Sequence, residues 1–197
     1  WITHVQFSPV DSDVILYNHE WPSQCGIRRM WLFDGSTHLR LRTEGQGRSR
    51  NDWTCHEMWE RDGSAIIYHG AFDDGLPYIA RVKPDATGHQ EIALRTGCKR
   101  YGHFTVGHPN VLVSDGYYED EGDKDTWGGD WICRLDVNWD ENDIKWSPLC
   151  RNSSSWTSQD AHPHPIIDHN SEYVYFTSDM DGKRAVYRTP LMNYVEQ

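Results

Sequence analysis

The chain has 197 residues and a formal charge of −11, with 10 Trp, 10 Tyr and 5 Phe. This aromatic content excludes a disordered segment. No apolar run in the sequence approaches the ~18 residues of a membrane-spanning helix, so no membrane partner is expected. Nucleic acid is not expected as a partner either, because phosphate binding needs a surplus of Lys and Arg and this chain has a surplus of acidic residues. The five cysteines lack a C-x-x-C pair, which favours free thiols over a disulfide framework.

A fourfold repeat runs along the chain. Each unit opens with a His, passes a turn and continues into a β-branched or aromatic run; the units start near His4, His56, His103 and His162. The second runs of the units are Val14–Tyr17, Ala65–Tyr68, Val111–Val113 and Tyr173–Phe176. The third runs are Arg29–Phe33, Pro77–Val82, Asp130–Leu135 and Arg184–Arg188. Several short strands per unit, recurring at the spacing of these unit starts, are typical of propeller blades.

The sequence therefore predicts an all-β fold, a β-propeller with about four blades in residues 1–197. Four blades close a propeller only in uncommon cases, so we expect a single incomplete propeller domain with further blades before Trp1. The longest insertion, from Gly116 to Gly129, is either a blade-edge loop or part of a substrate rim.

The repeated histidines indicate a candidate metal site. First strands of propeller blades line the central channel, so the blade-start histidines are expected to converge. His162 and His164 are two residues apart, which on a strand points both rings to one face. Gln159 can join them only if the chain turns at Asp160-Ala161. Two such His with a third from a neighbouring blade and the Gln oxygen suit a first-row metal, and four neutral ligands would favour an anionic substrate group. The alternative is that these histidines only make hydrogen bonds between blades.

Five stretches resemble the oligogalacturonate lyases of polysaccharide lyase family 22. They are His4-Val5-Gln6-Phe7-Ser8-Pro9, His19-Glu20 followed by Arg29-Met30-Trp31, His56-Glu57-Met58-Trp59 with Asp62-Gly63, His103-Phe104, and Gln159-x-x-His162-Pro163-His164-Pro165. Members of that family are seven-bladed propellers that cleave short pectin fragments by β-elimination, with Mn²⁺ held by three His and one Gln. The resemblance implies an oligogalacturonide substrate, missing blades from the rest of the chain, and a cytoplasmic location, with secretion left open.

Carried over residue by residue, the resemblance implies specific roles. The implied metal ligands are His103, Gln159, His162 and His164. The implied catalytic residues are His56, as the base, and Arg29, close to the substrate.

The chemistry of elimination agrees with these roles. The C5 proton of a uronate becomes acidic only when the charge developing on the adjacent carboxylate is stabilised, which a divalent cation can do. A His titrates near neutral pH and suits a base, whereas the fork of Arg29 suits a sugar carboxylate. His19 is a further candidate for substrate binding.

Other residues are expected to play no catalytic part. His38, His69, His89 and His169 fall in turn or loop contexts and are predicted to be solvated; Trp21 and Trp127 are candidates for stacking on a sugar ring. The rival hypothesis is a non-catalytic propeller that binds a partner or a sugar, as TolB-like and WD40 propellers bind partners.

Overall fold

The computed structural model describes residues 1–20, 29–42, 54–94, 102–118 and 128–192. Within these ranges the chain forms β-strands and one short 3₁₀ turn, Gln159–Ala161, and contains no α-helix. No helix in the described ranges is long and apolar enough to cross a bilayer. The all-β prediction is confirmed.

The strands form four sheets, each built from consecutive antiparallel strands. The first sheet contains β1 (Ile2–Phe7), β2 (Ile15–His19), β3 (Met30–Phe33) and β4 (His38–Arg40). The second contains β5 (Thr54–Trp59), β6 (Ile66–Ala71), β7 (Pro77–Val82) and β8 (Gln90–Ala93). The third contains β9 (Phe104–Val106), β10 (Val111–Ser114), β11 (Trp131–Asn138) and β12 (Asp143–Arg151). The fourth contains β13 (Ile166–Ile167), β14 (Tyr173–Ser178) and β15 (Ala185–Pro190).

The inner strands agree with the sequence prediction, and the outer strands were missed. The predicted run Pro77–Val82 matches β7 residue for residue. The fourth strands β4, β8 and β12 had no counterpart in the prediction. Because they lie at sheet edges, they lack the near-continuous apolar runs of buried strands. In β12, Pro148 further weakens the strand signal, yet an edge strand tolerates it.

Asx turns close the hairpins between third and fourth strands. The Asp34 side chain accepts hydrogen bonds from the backbone N–H of Ser36 and Thr37, at 2.9 and 2.7 Å. The same device recurs at Asp85, which accepts from the Thr87 N–H at 2.9 Å. A short polar side chain that bonds to the backbone two or three residues on stabilises the reversal locally. These turns set the register of the hairpins.

The chain divides into two compact units, Trp1–Ala93 and Leu94–Gln197. In the first unit, β2 and β3 of one sheet pack against β6 and β7 of the other. Its core contains the fully buried Leu16, Leu41, Ile66, Tyr68, Tyr78, Ala80 and Val82. The core of the second unit contains Val113, Ile132, Ile167, Val174, Phe176 and Leu191. The predicted single domain over residues 1–197 stays a prediction.

Some sequence predictions fall outside the described residues. These are the stacking candidates Trp21 and Trp127, together with Cys25 and Cys98. The three cysteines within the described ranges, Cys55, Cys133 and Cys150, are free thiols, as predicted.

A buried carboxyl at the end of β5 predicts pH-dependent stability. Glu60 is 7% exposed, and burial raises its pKa from 4.5 to about 7. The unfolded chain therefore releases this proton at lower pH than the folded chain, so stability falls as pH rises from 4.5 to about 7. Glu60→Gln is expected to raise the melting temperature by about 2–4 °C at pH 8 and to leave it unchanged at pH 4.

Calorimetry of the unmodified protein and of Glu60→Gln, each at pH 4 and at pH 8, measures this difference in melting temperature. Glu141→Gln, which changes an exposed carboxyl, is the matched control and should shift neither transition. An equal shift by Glu60→Gln at both pH values would contradict the proposed titration.

Candidate functional site

Three imidazoles come together in the second unit. His103 precedes β9, and His162 and His164 lie between the 3₁₀ turn and β13. One ligand atom from each ring lies within 4.8 Å of the other two. The ring centroids of His103 and His164 are 3.7 Å apart. The structure thus brings together the three histidines that the sequence predicted as metal ligands.

The path of the chain through this cluster differs from the prediction. His162 and His164 were expected on one strand, with both rings on the same face, but β13 begins only at Ile166. His162 has an extended backbone, whereas His164 has φ 43°. The intervening Pro163 cannot donate to a ladder hydrogen bond, so regular pairing is not available here. The left-handed backbone at His164, and not strand alternation, brings the two rings to one site.

Gln159 lies beside the cluster because the chain turns as the prediction required. The 3₁₀ turn Gln159–Ala161 ends with a hydrogen bond from the His162 N–H to the Gln159 carbonyl at 3.2 Å. The Gln159 side chain then lies 3.2 Å from His164, measured between the two Nε2 atoms. Rotation of the amide by half a turn presents the oxygen at this place.

Asp115 supports the cluster and was not predicted from the sequence. Its carboxylate is fully buried, and one oxygen accepts a hydrogen bond from His103 Nδ1 at 2.9 Å. The same carboxylate accepts from the backbone N–H of His103 at 2.6 Å and of His164 at 3.1 Å. In the sequence, its role is indicated only by its position, twelve residues after His103 and shortly after a predicted strand run.

The hydrogen bonds leave particular ring nitrogens available. Since Nδ1 of His103 donates to Asp115 and Nδ1 of His164 donates to the His162 carbonyl, both rings keep a lone pair on Nε2. Nδ1 of His162 is buried and has no hydrogen-bond partner among the described residues. Burial is the largest cause that lowers the pKa of both His162 and His164, and the neighbouring His103 lowers it further. The lowered pKa values favour the neutral forms of both rings. Neutral imidazoles, an unpartnered buried nitrogen and a supporting carboxylate fit a divalent cation.

A second cluster of histidines forms in the first unit, around the predicted base. His56 lies on β5, and its Nδ1 is 2.7 Å from Nε2 of His69 on β6. His4 on β1 stacks on His56 with ring centroids 6.4 Å apart. Nδ1 of His4 lies 3.0 Å from the buried carboxylate of Glu57, and this hydrogen bond raises the pKa of His4.

Cys55 also adjoins His56, and the two rings of this group lie at hydrogen-bonding distance from each other. Ligand atoms of Cys55, His56 and His69 lie within 4.8 Å of one another. Two imidazole nitrogens on one tetrahedral zinc, each about 2.0–2.1 Å from the ion, lie about 3.3 Å apart. The nitrogens of His56 and His69 are 2.7 Å apart, which is the distance of an N–H donor from its acceptor.

The predicted substrate residues adjoin the strand that carries His56. Arg29 lies directly before β3, with Nη2 3.8 Å from Cys55 Sγ and 2.8 Å from a carboxylate oxygen of Glu20. His19 ends β2, and its N–H donates to the Arg29 carbonyl at 2.8 Å. Arg29 therefore reaches the neighbourhood of His56 while held by Glu20.

Two histidines that were predicted to be solvated are not: His69 is buried and His89 is half-buried. His69 is 1% exposed and lies within β6, where its neighbours continue an apolar run. The His89 side chain is 9% exposed and bonds to the Tyr68 hydroxyl. His38 and His169 are exposed, as predicted. The local sequence does not distinguish a histidine within an apolar strand from a histidine in a turn. Its burial becomes evident only when the neighbouring strands are placed beside it.

Comparison with known proteins agrees with the fold. The family model described as oligogalacturonate lyase matches residues 1–195. The chain belongs to the oligogalacturonate lyase family. The oligogalacturonate lyase structure from Vibrio parahaemolyticus superimposes with a TM-score of 0.74 at 26% identity, covering 96% of this chain and 49% of that one. The β-propeller fold is thereby confirmed.

Two curated members of the oligogalacturonate lyase family are similar in sequence. The oligogalacturonide lyase of Pectobacterium atrosepticum is 28% identical over 95% of this chain and 49% of its own length. The oligogalacturonate lyase of Dickeya dadantii is 25% identical over 100% of this chain and 52% of its own. This chain therefore spans about half the length of these relatives. TolB from Acinetobacter baumannii, with a TM-score of 0.56 at 14% identity, covering 97% of this chain and 41% of that one, shares the fold alone.

Proposed function

We propose that the protein is a metal-dependent polysaccharide lyase that cleaves short oligogalacturonates by β-elimination. The observation that carries the proposal is the cluster of His103, His162 and His164 in a chain of the oligogalacturonate lyase family. Gln159 provides the fourth proposed ligand. The carboxylate of Asp115 supports the ligand set through its hydrogen bond to His103.

In this proposal His103, Gln159, His162 and His164 hold one divalent cation, for which we propose Mn²⁺. A bound cation would stabilise the charge that develops on the sugar carboxylate as the C5 proton leaves. The four proposed ligands are neutral, and the buried carboxylate of Asp115 fixes two of them from behind. This outer carboxylate orients the ring of His103 and holds the backbone of His164. The neutral ligand set would leave the charge of the cation uncompensated, which favours an anionic substrate.

His56 is the proposed base that takes the C5 proton. Its Nδ1 lies 2.7 Å from Nε2 of His69, and Nε2 is the nitrogen that we propose takes the proton. The guanidinium of Arg29 lies near Cys55, the residue directly before His56. Arg29 is proposed to bind a sugar carboxylate. His19, joined to Arg29 through the backbone, is proposed to contribute to substrate binding.

We also infer that the propeller is completed by blades from a longer chain. The large apolar side chains Ile2, Val5 and Phe7 of β1 are exposed, as is Val186 of β15. Sheet faces of this kind are normally covered by a neighbouring blade. The relatives, about twice as long, contain enough chain to supply them.

The reaction type is tested with the full-length protein on digalacturonate and trigalacturonate. Elimination leaves a C4–C5 double bond conjugated to the carboxylate, so ultraviolet absorbance should rise as the substrate is consumed. Release of saturated sugars only would contradict a lyase. Absence of any turnover in metal-supplemented protein would favour the rival hypothesis of a binding propeller.

The support from Asp115 gives a separate prediction. Asp115→Asn keeps the shape of the side chain but removes its charge, so His103 is oriented less firmly and becomes a weaker ligand. Metal affinity is expected to fall by about 10- to 100-fold, as for loss of other outer-shell partners. Titration against a competing chelator measures the dissociation constant.

The matched control is Asp136→Asn, which changes a partly exposed carboxylate on β11 of the same sheet that pairs with Arg134. This control should leave metal affinity unchanged. Equal affinity of the Asp115→Asn and unmodified proteins would show that Asp115 has no part in metal binding.

A further inference from the structure

We propose that His69 is a positioning residue that holds the His56 imidazole in the tautomer and orientation needed to accept a proton. The inference rests on the proposed function, in which His56 is the base, and deepens it.

A β-bulge brings the two rings together. Cys55 pairs with His69 across β5 and β6, and the register then shifts before Met58. His56, within the bulge, has φ 52°. On a regular strand the side chains of Cys55 and His56 would point to opposite faces. The bulge turns His56 to the side occupied by His69, as bulges do where a side chain is re-aimed.

The direction of the hydrogen bond between the rings decides whether Nε2 of His56 can act as a base. Nδ1 of His56 lies 2.7 Å from Nε2 of His69, so one ring donates and the other accepts. If His56 donates, its Nε2 carries a lone pair and can take a proton. If His69 donates instead, the proton of His56 is on Nε2 and that nitrogen cannot act as a base. The proposal requires the first arrangement, with His69 carrying its own proton on Nδ1.

The same contact stabilises His56 after proton transfer. The substrate proton moves from C5 to Nε2 of His56, which becomes an imidazolium. The C5–H electron pair forms the C4–C5 double bond as the C4–O bond breaks, and the leaving oxygen keeps the electron pair of that bond. Its Nδ1–H continues to donate to His69, now as a charge-assisted hydrogen bond, which is stronger than the neutral one. Since His69 is 1% exposed, its ring is held by the packed sheet and not by solvent. No rearrangement of His69 is needed during the step.

The charged groups near His56 have partners of their own. Glu57 pairs with His4 at 3.0 Å, and Arg29 pairs with Glu20 at 2.8 Å. His4 contacts His56 by ring stacking, at a centroid distance of 6.4 Å. In the proposed arrangement His69 accepts the hydrogen bond from Nδ1 of His56 and is therefore a neutral imidazole.

The blades repeat this arrangement with different partners. In three blades a histidine in or directly before the first strand meets a side chain in or directly after the second strand. The pairs are His4 with Asn18 at 3.4 Å, His56 with His69 at 2.7 Å, and His103 with Asp115 at 2.9 Å. A carboxylate behind His103 suits a metal ligand. A neutral ring behind His56 orients it without adding a permanent charge, which suits a group that must gain and lose a proton.

The test compares two substitutions of His69 in the full-length protein. His69→Leu removes the acceptor, and the expected result is a kcat about 10²-fold lower, with KM and metal content unchanged, because a misplaced base loses its geometry. His69→Gln offers a carbonyl oxygen near the place of Nε2 and should recover most of kcat. Nitrogen-15 NMR of labelled histidine, with His56 assigned from the spectrum of His56→Ala, should find His56 protonated on Nδ1 in the unmodified protein and without this preference in His69→Leu.

A half-buried histidine of the same unit provides the control. His89→Leu removes the ring that bonds to the Tyr68 hydroxyl and should leave kcat and the His56 tautomer unchanged. His56 protonated on Nε2, an unimpaired His69→Leu, or a folded His69→Gln as impaired as His69→Leu would each overturn the inference. Should His69→Leu not fold, His69→Gln and the tautomer of the unmodified protein decide the matter. An unmodified protein without activity on digalacturonate would instead contradict the proposed function.

Discussion

Replacing His162 with alanine should remove the metal and, with it, the activity. Loss of an outer-shell partner already lowers metal affinity by about 10- to 100-fold, so loss of a ligand should lower it further. Stabilisation of the sugar carboxylate by a cation is worth several kcal/mol, so turnover should fall by about 10³-fold or more. Elemental analysis of the purified full-length protein measures metal content, and ultraviolet absorbance of the unsaturated product measures turnover.

One control and one further ligand substitution accompany this experiment. His169→Ala removes an exposed histidine of the same unit and should change neither metal content nor turnover. Gln159→Ala changes an exposed residue, so the fold should persist while metal affinity falls. If metal-supplemented protein contains no stoichiometric ion, or if His162→Ala retains it, the proposed ligand set is wrong.

Replacing His56 with alanine should lower turnover by about 10²-fold or more while metal content stays unchanged. Removal of a general base slows proton abstraction at C5, whereas the ligands His103, His162 and His164 are untouched. The initial rate of absorbance increase on digalacturonate, measured at saturating metal, gives the effect.

The matched control is His38→Ala, which removes an exposed histidine of β4 in the same unit and should leave turnover unchanged. Full activity of His56→Ala would show that another residue is the base, with His19 the next candidate. A fall in metal content with His56→Ala would show that its effect is not confined to proton transfer.

Sequence patterns were sufficient for the fold class and for most of the candidate ligands. Inner strands such as β7 and β14 consist mostly of apolar, β-branched or aromatic residues between turns, so their signal is local. The same holds for the four histidines at the starts of the repeated units and for the Gln-x-x-His-Pro-His-Pro segment. Each can be recognised from the residues next to it along the chain.

The tertiary structure decided what surrounds each candidate residue. Asp115 and His69 are ordinary polar residues in the sequence, and only pairing with the preceding strand places them behind His103 and His56. The left-handed backbone at His56 and His164 likewise replaces the strand alternation expected from sequence. Hydrophobic periodicity reports which face of an element is buried, whereas a bulge or a cross-strand hydrogen bond depends on residues distant in sequence. For this protein the sequence by itself determined the blades and the candidate ligands, and the packing of paired strands determined how the candidate base and ligands are held.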